Sequence, residues 1–161
     1  MSSPTYTMTF TALPEHIDAY GHVNNAVWVR WMEDVATAHW NLIAPPEHQE
    51  AYAWFVTRHE IEYRGNIREG ESCEATTEIG KAPSGARFER RTTFRDMEGK
   101  LLVSAVTSWA MIDRATGRIM RVPREVAAQF LPEGGAAGGL GLGRRHGLAD
   151  QPSTSSSGNK S

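Results

Sequence analysis

The sequence predicts an α+β fold in which an antiparallel sheet of five strands is built on one long helix. Three observations lead there. A single stretch of helical periodicity follows Asn24 and Asn25 and stops at Pro45 and Pro46. Period-two alternation appears once before that helix and repeatedly after it. Turn sequences such as "DMEG" and "DRATG" separate the later strands, as hairpins require.

The elements follow in order. Thr5 to Thr11 alternates polar and apolar side chains, the pattern of a half-buried strand, and Pro14 ends it. "DAYGH" reads as a loop punctuated by Gly21. Asn24 or Asn25 is placed to cap the helix, because a short amide accepts from the open N–H groups of a first turn. The helix is predicted to run to about Ile43, since proline lacks an N–H and restricts the residue before it. Val27, Trp28, Trp31, Met32, Val35, Ala38 and Leu42 cover more than a narrow stripe, so the expectation is a helix wrapped on several sides.

A polar stretch separates this helix from strands at Trp54 to Tyr63 and Ser72 to Ile79, the latter with Cys73, Ala75, Thr77 and Ile79 on one face. In "ARFERRTTFRD", Phe88 and Phe94 point one way and Arg87, Glu89, Arg91 and Arg95 the other. "LLVSAVTSWAMI" is nearly all apolar or small, as a central strand covered on both faces would be. A short strand at Arg118 to Arg121 and a short helix after Pro123 close the domain, predicted over residues 1–131. From Pro132 the composition turns to glycine and serine without aromatics or periodicity, so residues 132–161 are predicted to be a disordered tail. Its glycines follow no strand and end in no Gly-Lys-Ser/Thr, which argues against a phosphate loop. One helix cannot keep both faces of such a sheet dry, which predicts a second subunit.

Composition narrows the function. The chain has 161 residues, a net charge of -2, 40% hydrophobic and 22% charged residues, and its pI is about 6.3, so nothing favours nucleic acid or an anionic membrane. The one cysteine, Cys73, permits no intrachain disulfide or cysteine-based zinc site and sits mid-strand as a small core residue. The first ten residues, "MSSPTYTMTF", have neither the basic region nor the apolar core of a signal peptide, and no run of about 18 apolar residues occurs. The expected location is the cytoplasm. The six histidines, at positions 16, 22, 39, 48, 59 and 146, show no metal-ligand spacing, and no Gly-x-Ser-x-Gly elbow is present. No metal and no cofactor is expected.

The chemistry then rests on "HIDAYGHVNNAVWVRWMED", His16 to Asp34. One reading is structural, with Asp18 anchoring an Asx-turn and Asn24 and Asn25 acting as caps. The other is catalytic. A helix N-terminus offers unpaired N–H groups and a partial positive charge to a developing oxyanion, and a nearby carboxylate can attack a carbonyl or activate water.

The segment Asp-x-x-Gly-His-Val-Asn-Asn, followed by an aromatic-rich helix, resembles the signature of the hotdog-fold thioesterases of the 4-hydroxybenzoyl-CoA thioesterase and YbgC-like superfamily. The resemblance extends from about Thr5 to Phe130. It implies a hotdog fold, in which an antiparallel sheet wraps one central helix, with active sites at a dimer interface, and hydrolysis of acyl thioesters of coenzyme A or acyl carrier protein. It implies that Asp18 is the catalytic carboxylate, as nucleophile or general base, that the Asn25 N–H is the oxyanion donor, and that His22 assists as in plant acyl-carrier thioesterases. Asn24 then braces the loop or orients water, and with Tyr20 and Gly21 it is expected to contact substrate.

The chain departs from the patterns it resembles in three places. Tyr20 replaces an asparagine of the plant enzymes, Asn25 a histidine of the YbgC branch, and Pro14 a tyrosine of that branch. Asn25 cannot shuttle a proton, so any acid role toward the leaving thiolate moves to His22 or lapses; a CoA thiolate, with a pKa like that of free cysteine at about 8.5, is a good leaving group that need not require one. Trp28 and Trp31 are candidates to line an acyl or aryl pocket, or are plain core. Arg87 and Arg91, with Arg95, are candidates for the CoA phosphates, or form a solvated face balanced by Glu89. Glu33 and Asp34 are expected to serve an interface. The expected protein is an acyl-CoA thioesterase, dimeric or tetrameric. A non-catalytic acyl-thioester-binding hotdog protein and a hotdog enoyl-CoA hydratase or dehydratase are the alternatives.

Overall fold

The computed structural model describes residues 5–132. Of the predicted tail, 132–161, all residues after Pro132 lie outside the described residues. Strand β1 is Thr5–Thr11, and a 3-10 turn at Pro14–His16 leads into the polar loop. The long helix α1 is Asn25–Ile43, bounded as the asparagine cap and the proline pair require. A short helix α2, Pro46–Ala51, occupies part of the polar stretch between α1 and the next strand. Its first residue is a proline, whose fixed φ suits the opening turn.

Strands β2 (Tyr52–Tyr63), β3 (Ser72–Glu78), β4 (Arg87–Asp96), β5 (Leu101–Asp113) and the two-residue β6 (Arg118–Ile119) follow, and helix α3 is Arg124–Ala128. The sheet order is β1-β3-β4-β5-β2, with β6 paired to β5 beyond this path. Every pairing is antiparallel. A register shift between Val56 and Arg58 interrupts the β2–β5 ladder, and such bulges sharpen the bend of a strand. β2 begins two residues before the expected start because Tyr52 already pairs with Asp113.

α1 lies on one face of the sheet. Trp28, Trp31, Met32, Val35, Ala36 and His39 are buried against it. Arg30, Glu33, Asp34, Thr37 and Asn41 face outward as one polar stripe, and Leu42 is 66% exposed. The helix is therefore amphipathic within the chain, and the expected burial of Leu42 is corrected. β5 is interior in the sheet, but its face away from α1 carries half-buried Ser104, Val106 and Ser108, so only one face is dry.

Two apolar clusters fill the space between helix and sheet. The first gathers Phe10, Val23, Trp28, Trp31, Met32 and Phe94 around the N-terminal half of α1. The second gathers Ile79, Phe88, Met111, Val126 and Phe130 around its C-terminal half, closed by α3. Trp28, Trp31, Phe10 and Phe94 meet ring to ring at 5.0–6.5 Å, distances at which aromatic edges and faces attract. Among the described residues, no helix is long and apolar enough to cross a membrane.

Candidate active site

The polar segment folds into a small bridged hairpin. Ile17 and Val23 pair as an isolated antiparallel bridge, and the tip between them is the turn from Asp18 to Gly21. Gly21 N–H donates to the Asp18 carbonyl at 3.1 Å, and Gly21 takes φ +79, a conformation open to glycine at little cost. Asp18 N–H donates to the His22 carbonyl at 2.8 Å. The Asp18 carboxylate is held from inside the turn: Oδ1 accepts from Tyr20 N–H at 2.9 Å and His22 N–H at 3.2 Å. This is an Asx-turn. The second carboxylate oxygen has no hydrogen-bond partner among the described residues.

The hairpin runs directly into α1. Asn24 caps the helix, its side-chain oxygen accepting from Ala26 N–H at 2.9 Å, while its carbonyl accepts from Val27 N–H at 2.9 Å. The N–H of Asn25, the first helical residue, has no acceptor among the described residues. It is the open donor at the positive end of a 19-residue helix. Asn24 N–H donates to the His16 carbonyl at 3.0 Å, tying cap to turn.

Two further groups hold this tip that sequence reading did not single out. Asn66, 43 positions from Val23, clamps it: Asn66 Oδ1 accepts from Val23 N–H at 2.9 Å, and its amide donates to the Val23 carbonyl at 3.1 Å. The Tyr63 hydroxyl donates to the Asn25 carbonyl at 3.4 Å, and burial pushes the pKa of that phenol upward. A cation also lies here. Arg68 Nη1 is 3.9 Å from where a Cβ on Gly21 would stand. Nothing local in "YRGNIREG" marks these residues, because their roles come from strand pairing over long separations.

The structure thus brings Asp18, Tyr20, Gly21, His22, Asn24 and Asn25 together at one turn and helix tip. Tyr20 is 86% exposed and His22 half-buried. Trp28 is 0% exposed and packs edge-on against Trp31 and Phe94, so within the chain it is core. Arg87 and Arg91 stand on the face of β4 away from α1, apart from the turn, and Glu89 between them is ion-paired to Lys81 at 2.7 Å. Among the described residues no cluster of His, Cys, Asp and Glu could hold a metal ion. Burial pushes the Cys73 thiol up to about 12, which leaves it un-ionised and inert as a nucleophile.

A second polar group lies deeper. Arg90, on the inner face of β4, is 6% exposed and has no ion-pair partner among the described residues. Its Nη1 donates to His39 Nδ1 at 2.9 Å and to Thr77 Oγ1 at 3.1 Å. An accepting Nδ1 places the imidazole proton on Nε2, and that atom is buried without a partner. The His39 ring is stacked on Tyr6 at 5.5 Å and meets Phe130 edge-on at 5.2 Å. Burial, with the neighbouring Arg90 charge, pushes His39 down to about 4, and burial pushes Arg90 down to about 10, so at neutral pH the arginine carries the only charge of the pair. Beside it a cavity of about 290 Å³ opens among Trp40, Tyr52, Trp54, Phe88, Phe130 and Arg90. None of the turn residues lines this cavity.

Comparison with known proteins gives the family and the shared fold. Residues 12–130 match the family model described as thioesterase-like superfamily. A chloroplastic acyl-[acyl-carrier-protein] hydrolase of Cuphea viscosissima is 27% identical over 79 residues, 49% of this chain and 19% of that protein's length. The match therefore spans about a fifth of that relative. The Staphylococcus aureus protein SAV2348, solved in complex with CoA, superposes with a TM-score of 0.69 at 20% identity over 78% of this chain and 80% of its own. A 1,4-dihydroxy-2-naphthoyl-CoA thioesterase from Synechocystis does so with a TM-score of 0.67 at 15% identity over 78% and 95%. A 12:0-ACP thioesterase from Umbellularia californica gives 0.70 at 16% identity over 93% and 59%. These structural likenesses establish a shared fold.

Proposed function

This chain belongs to the thioesterase-like superfamily, and from that membership we propose that it hydrolyses an acyl-CoA thioester to the free acid and CoA, with Asp18 and the Asn25 N–H as its reacting centre. The observation that carries this reading is the half-tied carboxylate. Two backbone N–H groups fix Asp18 through Oδ1 and leave the other oxygen without a partner, and the first N–H of the helix that starts seven residues further on, at Asn25, is open as well.

In the proposed reaction the thioester carbonyl oxygen accepts from Asn25 N–H. The carbon is attacked either by Asp18 itself, giving an anhydride that water then opens, or by a water that Asp18 deprotonates. In both routes the C–S bond breaks, the sulfur leaves as thiolate and water supplies the acid's new oxygen. Charge gathers on the carbonyl oxygen before the C–S bond breaks, which is where a fixed helix-end dipole lowers the barrier. His22, half-buried in the same turn, is assigned to assist Asp18 in the chemistry, and Tyr20, Gly21 and Asn24 to substrate binding.

We assign the CoA phosphates to Arg68, since it already stands at the turn. The acyl cleft is assigned to a homodimer or larger assembly, with a second copy completing the wall over the exposed Tyr20. A cytoplasmic location fits such a substrate.

The Asx-turn itself favours one second reading, a protein that binds acyl thioesters without cleaving them, in which Asp18 only shapes the loop. Asp18→Asn decides between them. Asparagine keeps the Oδ1 acceptor and hence the turn, but cannot attack or deprotonate. Hydrolysis across a panel of acyl-CoA chain lengths and aryl-CoAs should fall by about a hundredfold or more in the variant. Equal turnover by both proteins overturns the proposed mechanism, and no turnover by the wild type favours the binding protein.

A further inference from the structure

We propose that the cavity along the C-terminal half of α1 is a binding site for a small carboxylate carried on an apolar, ring-sized body, with Arg90 as its anion partner. The site is far from the Asp18 turn: Ala36, on its wall, lies about 16 Å along the axis from Asn25 at roughly 1.5 Å per residue. It stands whether or not Asp18 hydrolyses anything.

Charge is the first argument. A guanidinium removed from water ordinarily has a carboxylate beside it, because burying an unpaired ion is unfavourable. Arg90 has none among the described residues, and its neighbours on the inner face are Thr77, Thr92 and a neutral His39. The second argument is direction. Nη1 is held by His39 and Thr77, so the fork is fixed in orientation, and Arg90 forms part of the cavity wall. Its remaining nitrogens have no acceptor among the described residues. That is the donor geometry a carboxylate meets in a paired, charge-assisted fashion.

Shape is the third argument. Trp40, Tyr52, Trp54, Phe88 and Phe130 supply broad apolar faces, and the volume is about 290 Å³. A cavity of about 150 Å³ suffices for benzene, so there is room for a ring and its substituent. Thr37 and Asn41 of α1 form the polar rim, consistent with an entrance from solvent.

The test is titration of the full chain with benzoate and with its neutral isostere benzamide at pH 7, by calorimetry and by the fluorescence of the wall tryptophans. Benzoate is expected to saturate and to bind at least about tenfold more tightly than benzamide. Arg90→Met is expected to erase that difference, and Thr37→Trp, which fills the rim without touching the core, to abolish binding of both. Absence of saturation, equal affinity for the two compounds, or benzoate affinity unchanged in Arg90→Met overturns the proposal. Should Arg90→Met fail to fold, the wild-type comparison and Thr37→Trp decide it alone.

Discussion

Arg90 Nη1 and His39 Nδ1 meet at 2.9 Å, joining the inner face of β4 to the long helix through a charged donor and a neutral acceptor. The hydrogen bond survives only while His39 stays unprotonated, because an imidazolium has no acceptor.

Stability should therefore fall with acidification. His39 titrates near 6.5 when unfolded and at about 4 in the fold. Between those values the unfolded chain binds a proton that the folded chain refuses, so unfolding free energy drops as pH falls from 6.5 towards 4. The expected loss is roughly 2–3 kcal/mol. His39→Asn, whose amide oxygen can replace Nδ1, should flatten that slope in urea melts at about pH 7, 5.5 and 4, which span the window. An unchanged slope would place the acid sensitivity elsewhere.

Asp18 should separate chemistry from folding. Asp18→Asn is expected to keep stability within about 0.5 kcal/mol, because Tyr20 and His22 retain their acceptor. Asp18→Ala loses both bonds and should cost about 1–3 kcal/mol. Chemical denaturation of the two variants beside the wild type measures the contrast.

Asn24 is a cap whose value is set by one bond to Ala26 N–H. Asn24→Ala should cost about 1 kcal/mol and Asn24→Ser much less, since a hydroxyl can accept the same N–H. Thermal unfolding of both variants reads this directly.

Asn66 reaches across to the Val23 backbone through two hydrogen bonds and also accepts from Ile67 N–H at 2.8 Å. Asn66→Ala leaves the N–H of Val23, 1% exposed, with only its longer bond to the Ile67 carbonyl at 3.3 Å, and the Val23 carbonyl without the amide, at an expected cost of about 1–2 kcal/mol. If the helix tip holds the oxyanion, turnover should fall about tenfold in the folded variant without a matching rise in KM, since a loosened donor is felt in the transition state.

Much of this molecule is legible in one dimension. The helix ends at Ile43 as Pro45 and Pro46 demand, β1 matches its alternation from Thr5 to Thr11, and the asparagine cap stands where capping chemistry puts it. The short helix at Pro46–Ala51 escapes such a reading because its polar residues show no apolar period. The outward set of Arg87 and Arg91, and Arg90 on the opposite side, follows from alternation alone.

What the chain's local pattern determined is where each element begins, ends and turns its apolar side, since caps, prolines and periodicity act over a few residues. Partners were decided only in three dimensions. His39 lies 51 positions from Arg90 and Asn66 lies 43 from Val23. These meetings come from sheet register and the docking of α1, which place Thr77 between Ala75 of one apolar cluster and Ile79 of the other. A buried charge and the cavity beside it are products of that packing, because solvent exclusion belongs to the assembled layers and to no segment by itself.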